Sequence, residues 1–377
     1  MTRISNEKKE QCSGCGACAT ACPTQAITYA YDDEGFLAPS VDEKLCVNCG
    51  KCVKFCHLQG ENSGKGKKVV GQYAAKIKDE KIRANSRSGG VFTALSDFIL
   101  ERGGVVYGAA LLGVEKVEHI RAETPDERDK MRGSKYVQSD TTRIWEAFKR
   151  DVADGRPVLF TGSPCQTQAA RLIIGGERDN VYLCDFVCHG VPSPILWRDY
   201  ISFMEKKYRR TLAAFDFRDK REHSWESHVE GLTFVDQKTV YSRRYTNLFY
   251  SNECLRESCY ACPYTTSERT SDFTIADYWG IDSVAAEFND SKGVSLLLVR
   301  GERGEKALDA VKERLDLIDT SHTPPPHNNL QRSTSRPETR DAFWEDYRKY
   351  GFKYVSVKYG RYDALRKIKY KIFDKLS

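Results

Sequence analysis

The feature that most constrains this chain is a cysteine pattern that occurs twice within residues 1–62. The stretch QCSGCGACATACP (residues 11–23) and the stretch LCVNCGKCVKFCH (residues 45–57) both separate four cysteines by three, three and four positions. The eight cysteines are Cys12, Cys15, Cys18, Cys22, Cys46, Cys49, Cys52 and Cys56. Thiols this close together in sequence indicate disulfides, a zinc site or an iron–sulfur cluster.

The spacing favours iron–sulfur clusters. Disulfide frameworks are typical of small secreted domains, whereas this chain has 377 residues and begins with the polar stretch MTRISNEKKE. Zinc sites usually combine two CxxC pairs across a longer loop, while three closely spaced cysteines with a remote fourth are typical of 4Fe-4S ligation. In chains with two such runs the fourth thiolate crosses over. We therefore predict one 4Fe-4S cluster on Cys12, Cys15, Cys18 and Cys56, and another on Cys46, Cys49, Cys52 and Cys22.

The residues after the two runs differ. Pro23 follows the first run, as is usual for this pattern, but His57 stands where the second run would have proline. We expect this difference to affect the local turn more than the cluster ligands.

Composition places limits on the cellular setting. The formal net charge is +6 and 40% of the residues are hydrophobic, values typical of a soluble globular protein. The longest apolar runs, such as VSLLLV at residues 294–299, are far shorter than the ~18 residues that a bilayer span needs. Fourteen cysteines that must stay reduced or metal-bound favour a cytoplasmic protein. No nucleic-acid-binding motif is present, so we expect no nucleic-acid partner.

Two changes in composition predict domain boundaries. The stretch LQGENSGKGKKVV follows the cysteine repeat and indicates a linker, which gives an N-terminal two-cluster domain over residues 1–62. The stretch SHTPPPHNNLQRSTSRPETR cannot continue a helix or strand through its three prolines. Residues 326–377 are therefore predicted to form a linker and a basic helical tail.

The body between these boundaries alternates helical and strand-like patterns. SGGVFTALSDFILERGG predicts an amphipathic helix followed by the strand VVYGAALL, and RPVLFTGSPCQTQAARLI predicts a strand, a tight turn and a helix. NVYLCDFVCHG and SDFTIADYWG predict strands that end in loops, and HVEGLTFVDQKTVYSRRY predicts a hairpin. This alternation predicts an α/β body with a mixed sheet, whose strand-end loops are the expected place for a cofactor.

The body contains six more cysteines in different settings. Cys165 lies at a predicted strand-to-helix turn, Cys188 follows a strand, and Cys259 and Cys262 form a CxxC pair. These four thiols are sufficient for a third 4Fe-4S cluster, with zinc or a catalytic thiol at Cys165 as alternatives. Cys184 is expected to be a core residue, and Cys254 is either a reserve ligand or packed in the core.

Six motifs in order carry a family resemblance: SRSGGVFTAL, RGSKYVQSD, TGSPCQ, FVCHGVPSP, LRESCYACPY and RTSDFTIADYWG. Together they resemble the family of beta subunits of coenzyme F420 hydrogenases and dehydrogenases, here with a ferredoxin domain fused ahead. The resemblance implies an N-terminal family part over residues 68–155 and a C-terminal part over residues 156–325. It implies FAD as a cofactor and strengthens the prediction of a third cluster. The fold expected for the whole chain is thus a bacterial-type two-cluster (4Fe-4S) ferredoxin domain of the α+β class, a mixed-sheet α/β flavin-binding body and the basic tail.

Flavin contacts are harder to predict from the residues. The chain has neither a GxGxxG fingerprint nor a P-loop. In SRSGG, Ser88, Gly89 and Gly90 precede a predicted helix, whose N-terminal N–H groups attract phosphate, although an ordinary helix cap is the alternative. In MRGSKYVQS, Arg132 and Lys135 would neutralise pyrophosphate or a reduced flavin, although such a lysine is often only solvated.

Weaker candidates remain. His189, beside Cys188, is a candidate proton donor or a support for a cluster. His223 and His228 in HSWESH are expected to face solvent rather than bind a metal. The tail sequence YDALRKIKYKIFDKL predicts a basic amphipathic helix, which would pack on the body, on an acidic partner or on an anionic membrane.

These features predict an iron–sulfur flavoprotein oxidoreductase. A redox protein such as ferredoxin would exchange electrons with the N-terminal clusters, and FAD would reduce an organic or sugar substrate or exchange hydride with a deazaflavin coenzyme. The direction of electron flow stays open. The alternatives are an electron-transfer subunit with no substrate of its own and a non-redox iron–sulfur scaffold.

Overall fold

A computed structural model describes residues 4, 8–59, 66–221 and 223–362 of the chain. The basic amphipathic helix predicted over residues 362–376 therefore lies almost wholly outside the described residues. Residues 8–59, called here the N-terminal unit, consist of two short helices and an antiparallel hairpin. Their bounds are α1 Ala17–Thr20, β1 Ile27–Tyr31, β2 Leu37–Val41 and α2 Lys51–Lys54.

The described residues from 66 onward form one body with strands and helices in alternation. In its first part the elements are β3 Val69–Ile77, α3 Glu80–Ala84, α4 Val91–Leu100, β4 Val105–Leu112, β5 Lys116–Ala122, α5 Pro125–Asp129 and α6 Trp145–Ala153. The middle part has β6 Val158–Gly162, α7 Pro164–Ile173, β7 Val181–Phe186, α8 Pro194–Tyr208, β8 Leu212–Asp216, β9 Glu230–Phe234, β10 Thr239–Ser242 and α9 Arg244–Ser251. The last part has β11 Phe273–Asp277, α10 Asp282–Ala285, β12 Ser295–Arg300, α11 Gly301–Val311, β13 Leu315–Asp319 and α12 Arg340–Lys358.

An eight-stranded mixed sheet, in the order β13-β3-β12-β11-β7-β6-β4-β5, organises the body and confirms the predicted α/β class. The four strands β4, β6, β7 and β11 run parallel, and the flanking strands pair antiparallel. Because parallel strands share one carboxyl edge, the loops that follow β6, β7 and β11 meet there. The sheet draws on both predicted family parts, so residues 68–155 and 156–325 do not form separate sheets.

Successive side chains of a strand point to opposite faces of the sheet, and both faces are covered by helices. In β6, Leu159 packs in the core beneath α4 and α11, while Val158 and Phe160 pack in the opposite core beneath α6 and α7. The predicted helix in SGGVFTALSDFIL is α4, and the predicted hairpin is β9–β10, which pairs with β8 in a separate three-stranded sheet. Within the described part of the chain, no helix has the length and apolar character needed to cross a membrane.

The C-terminal region contains a core helix that the sequence did not indicate. Helix α12 packs on α8 and α9, and its Phe343 and Trp344 are almost fully buried. Gly351, with φ of 73°, interrupts the helix, a conformation that other residues adopt only with strain. Residues 340–358, which were predicted as linker and tail, therefore belong to the body.

A buried ion pair fixes the N-terminal unit to this helix. Arg340 Nη1 and Nη2 lie 3.1 and 2.6 Å from the two carboxylate oxygens of Glu34, and Arg340 also pairs with Glu257 at 2.9 Å. Arg340 is 2% exposed and Glu34 is 6% exposed. Loss of either partner would therefore leave a charge in the interface without its main counter-ion.

We expect Arg340→Met to lower the free energy of unfolding by about 3–5 kcal/mol, because it leaves the buried Glu34 carboxylate without its bidentate partner. Arg348→Met is the matched control, since Arg348 forms an exposed pair with Asp33 at 3.5 Å. Loss of such a pair costs about 0–1 kcal/mol. Urea unfolding followed by tryptophan fluorescence measures both variants. Equal, small losses would contradict a structural role for the buried pair.

Candidate iron–sulfur and flavin site

The two cysteine runs of the N-terminal unit adopt matching backbone conformations. In the first run Gly14 and Gly16 have φ of 67° and 81°, and in the second run Asn48 and Gly50 have φ of 52° and 72°. These left-handed positions suit glycine and asparagine, and they turn each loop so that its closely spaced thiols face one point. Gly16 and Gly50 then begin α1 and α2.

The structure brings Cys12, Cys15, Cys18 and Cys56 together as predicted, and these are called the inner set. Burial and the neighbouring thiols Cys18, Cys56 and Cys12 hold the pKa of Cys15 well above its ordinary value. Burial, with smaller contributions from the thiols of Cys12, Cys56 and Cys52, raises the pKa of Cys18 to about 12 against a hydrogen bond with Tyr29. The amides of Gly14 and Leu58 donate to Cys12 Sγ at 3.4 Å and to Cys56 Sγ at 3.5 Å. N–H···S bonds of this kind support thiolates that bind a cluster.

The other four thiols of the unit line a common cavity and are called the outer set: Cys22, Cys46, Cys49 and Cys52. Burial raises the pKa of Cys22, but hydrogen bonds from Thr24 and the Ala26 amide lower it overall. Cys49 is exposed, and Val47 beside it is 63% exposed. A centre held by these thiols would therefore be open to a partner at the protein surface.

A third set of thiols, the body set, gathers from three loops near the carboxyl edge of the parallel strands. Its members are Cys165, Cys188, Cys259 and Cys262. Burial, followed by Cys259, Cys165 and Cys262, holds the pKa of Cys188 well above its ordinary value, so the four lie near one another. In the part of the chain that the structure describes, no three His, Cys, Asp or Glu side chains are placed to hold a single metal ion. The choice between a 4Fe-4S cluster and zinc at these four thiols stays a prediction.

Two body cysteines lie in the core. Cys184 is 1% exposed and packs among the side chains beneath α4 and α11. Cys254 is also 1% exposed, and its thiol donates to the Leu248 carbonyl at 3.4 Å. Their burial favours packing over a role as cluster ligands.

Main-chain carbonyls of the first cysteine loop dock on the body. Thr141 Oγ1 and Trp145 Nε1 donate to the Cys15 carbonyl at 2.9 and 3.0 Å. Arg256 Nε donates to the Cys12 carbonyl at 2.6 Å. The inner set is thus held rigidly beside the loops that carry the body set.

The predicted phosphate cradle is largely occupied by internal contacts. Ser88 Oγ donates to the Val294 carbonyl at 2.6 Å, and the Gly89 amide donates to Ser295 Oγ at 2.9 Å. A Cβ on Gly89 would lie 2.0 Å from the Ala75 carbonyl oxygen, so glycine is required there by packing. Gly90, with φ of 88°, begins α4. These residues fix the backbone on both sides of the loop, and their contact with a flavin stays a prediction.

Arg132 and Lys135 also have internal partners. Arg132 Nε donates to Thr93 Oγ1 at 3.2 Å, and its guanidinium pairs with Asp129 at 2.9 Å. Lys135 Nζ donates to the carbonyls of Met131 and Arg132 at 2.7 and 2.8 Å. Burial lowers the pKa of Lys135 to about 7. Their predicted flavin contacts are likewise untested by the geometry.

Beside the SRSGG loop lies a group that the sequence analysis missed, called here the cation–aromatic cluster: Arg87, Arg218, Trp225, His228 and Trp279. The Trp225 and Trp279 rings stack with centroids 5.4 Å apart at 8°. The Arg218 guanidinium lies 5.1 Å from the Trp279 ring, and His228 stacks on that ring at 5.8 Å. His228 therefore does not simply face solvent, as the sequence had indicated.

This cluster has unused hydrogen-bonding atoms. Arg87 Nη1 donates to the Arg218 carbonyl at 2.6 Å, but Arg87 Nε and His228 Nδ1 are buried without a partner among the described residues. Burial and the adjacent Arg218 lower the pKa of Arg87 to about 10 and that of His228 to about 3. Arg218 pairs with Asp277, so Arg87 Nε and His228 Nδ1 are the atoms of this cluster that a ligand could engage. Their position beside stacked indoles is compatible with a planar anionic ligand such as a flavin nucleotide.

His189 connects the body set to this cluster. It follows Cys188, and its ring lies 5.2 Å from Phe249 and 5.5 Å from Tyr250. Tyr250 in turn lies 5.0 Å from His228. His189 Nε2 bonds Asn252 Oδ1 at 2.7 Å. Burial lowers the pKa of His189. Its predicted role as proton donor or cluster support is not tested by this placement.

Comparisons with known proteins match most of the chain. A model described as 4Fe-4S dicluster domain matches residues 11–59. Models described as Coenzyme F420 hydrogenase/dehydrogenase, beta subunit, match residues 72–145 with the N-terminal part and residues 155–322 with the C-terminal part.

Two curated relatives and one solved structure are also similar. One of the F(420)H(2) dehydrogenase subunits of Methanosarcina mazei is 26% identical over 181 residues, covering 45% of this chain and 49% of that protein. The isethionate sulfite-lyase activating enzyme of Desulfovibrio desulfuricans is 33% identical over 110 residues, covering 29% of this chain and 33% of that protein. The chain thus spans half or less of these relatives. One chain of the xenon-derivatised F420-reducing NiFe hydrogenase complex from Methanosarcina barkeri matches with a TM-score of 0.46 at 15% identity, covering 78% of this chain and 91% of that chain.

The body set generates a prediction about iron content. We expect Cys259→Ala to lose about four irons per chain, because one corner of a 4Fe-4S cluster would lack its thiolate. Cys254→Ala is the matched control in the same segment, since Cys254 is buried in the core, and it should keep all its iron. Iron and acid-labile sulfide in anaerobically purified protein measure the difference. Full iron in the Cys259 variant would exclude that cysteine as a ligand.

Proposed function

Since the chain belongs to the family of coenzyme F420 hydrogenase/dehydrogenase beta subunits and carries a 4Fe-4S dicluster domain, we propose that it is an iron–sulfur flavoprotein oxidoreductase. When bound, 4Fe-4S clusters on the three cysteine sets would supply one-electron exchange, and FAD would supply the conversion between single electrons and hydride. The observation that carries the proposal is the presence of three four-thiol sets, of which the body set connects to the cation–aromatic cluster through His189 and Tyr250.

The outer set would receive the redox partner. Cys49, Leu45 and Val47 are exposed there, and Leu45 is 50% exposed. Exposed side chains of both signs lie nearby, namely Asp42, Glu43, Lys44 and Lys51, and the partner class that we propose for this surface is a small ferredoxin. The partner would therefore dock at the surface that exposes Cys49.

The cation–aromatic cluster would hold the flavin nucleotide. Arg87 would offset its negative charge, Arg218 is already paired with Asp277 and would help to fix the Trp279 ring, and that ring would provide an apolar surface beside the flavin. Ser88, Gly89 and Gly90 would position Arg87 by fixing the backbone of their loop. Arg132 and Lys135 would add positive charge from the loop after α5, and His189 would contribute a hydrogen-bonding group between the body set and the flavin.

The substrate would be a two-electron partner that reaches this cluster, either a deazaflavin coenzyme or a small organic or sugar molecule. The same residues serve either direction of electron flow. A chain that binds FAD but turns over no small molecule without a further subunit would instead be an electron-transfer subunit of a larger complex.

Cofactor content tests the proposal. Protein purified without oxygen should contain about twelve irons per chain, together with equal sulfide and one FAD. Dithionite should reduce both the iron–sulfur clusters and the FAD, and an oxidised deazaflavin coenzyme should reoxidise them. About eight irons and no FAD, even after FAD is added, would overturn the proposal for the body while leaving the two N-terminal centres.

We expect Arg87→Ala to weaken FAD binding about 10–100-fold, because a hydrogen bond to a charged group contributes roughly 1.5–3 kcal/mol. Arg87→Lys should restore part of the affinity by restoring the charge. Arg150→Ala removes the same charge from an exposed position of α6 and should bind FAD as the wild type does. Fluorescence titration of flavin-depleted protein measures the three affinities. Unchanged affinity in Arg87→Ala would place the flavin elsewhere.

A further inference from the structure

We propose that His57 and Tyr264 form the bridge through which single electrons pass between the inner set and the body set. The inference rests on the proposed function, since it requires a centre on each set. His57 is the residue that replaces the usual proline after the second cysteine run, and Tyr264 follows the CxxC pair of the body in SCYACPY. Both would be positioning residues that touch the loops of the ligands.

Hydrogen bonds join the two loops through these side chains. His57 Nδ1 and the Tyr264 hydroxyl are 2.7 Å apart, and His57 Nε2 lies 3.0 Å from Ser13 Oγ. The His57 and Tyr264 rings lie 5.5 Å apart. His57 is 3% exposed and Tyr264 is 7% exposed. Ser13 sits between Cys12 and Cys15, so the connection runs without a solvent gap from the inner-set loop to the body.

Tyr264 lies near thiols of both sets. Burial, and then Cys165, Cys15, Cys262 and Cys56 in that order, hold its pKa well above the ordinary value for tyrosine. Two of these thiols belong to the body set and two to the inner set. Tyr264 therefore lies between the two sets, where its hydroxyl contacts His57.

Electronic coupling is stronger along covalent and hydrogen bonds than across empty space of the same length. With a 4Fe-4S cluster held by each set, the inner-set cluster would be oxidised by one electron and the body-set cluster would be reduced by one, with His57 and Tyr264 holding the two loops together. No covalent bond forms or breaks in this step, and no proton moves. A proline at position 57 would offer no side-chain hydrogen bond, which gives a physical reason for the histidine.

The docking contacts fix the length of this bridge. Thr141 and Trp145 hold the Cys15 carbonyl, and Arg256 holds the Cys12 carbonyl. The outer set lies farther out, at the exposed end of the N-terminal unit. The order of electron transfer is thus outer set, inner set, bridge, body set and flavin, or the reverse.

The test is Tyr264→Phe, which removes the hydroxyl and keeps the ring. Methyl viologen radical from pulse radiolysis under argon reduces the holoprotein, and the rate of flavin bleaching reports transfer through the bridge. We expect this rate to fall about tenfold, as for other losses of a group that supports a metal ligand. Ser193→Ala is the matched control, because it removes one buried hydrogen bond from the body to the Glu34 carbonyl, and it should transfer at the wild-type rate.

The outcomes separate the bridge from simple docking. A wild-type rate in Tyr264→Phe, or an equal decrease in both variants, would overturn the proposal. If Tyr264→Phe loses iron, His57→Gln is measured instead, because its amide would keep the contact with Ser13 and lose the one with Tyr264. The same fall of about tenfold in the rate of flavin bleaching is expected, and a wild-type rate would overturn the proposal.

A measurement on the wild type needs no variant. During dithionite titration, the EPR signal of the body centre should broaden when the adjacent N-terminal centre becomes paramagnetic, and no interaction would count against the bridge. Iron analysis separates the proposed function from the proposed bridge. About eight irons in the wild type would contradict the third centre of the proposed function. About twelve irons, with a wild-type rate of flavin bleaching in Tyr264→Phe, would contradict only the bridge.

Discussion

The attachment of the first cysteine loop to the body is the constraint on which the rest of the structure depends. Thr141, Trp145 and Arg256 bind main-chain carbonyls of that loop, so the backbone that carries the inner set cannot shift without breaking buried hydrogen bonds. The ion pair between Arg340 and Glu34 secures the hairpin of the same unit. Two units that could have moved as domains on a linker are thereby joined with a fixed separation between their thiols.

Much of this arrangement follows from local sequence. The grouping of the three closely spaced cysteines in each run was predictable because the spacing fixes which thiols one loop can present to one point, while the crossed assignment of the fourth stays a prediction. Helix α4, strand β4 and the strand–helix turn before α7 were predictable because their hydrophobic periods and caps are local signals. The four body cysteines were predictable as a group only through motifs shared with a family, since they come from three separate loops.

Contacts distant in sequence account for what could not be predicted. Arg87 and Trp279 lie within the recognised motifs SRSGG and IADYWG, yet no local pattern indicates that Arg218 and Trp225 join them. Helix α12 was taken for part of a linker and tail because a proline-rich stretch precedes it, and a buried aromatic face shows only once its partners α8 and α9 are known. The role of His57 depends on Tyr264, which lies 207 positions away.

The exposure of the outer set has a consequence for handling the protein. Cys49 is exposed, whereas the body-set thiols lie within loops packed on the sheet. Dioxygen reaches exposed thiols first, and exposed thiolates are the most readily oxidised to sulfenic and higher acids. Aerobic damage should therefore begin at the outer set. A partly oxidised sample would thus lose the thiols of the outer set while those of the inner and body sets stay intact.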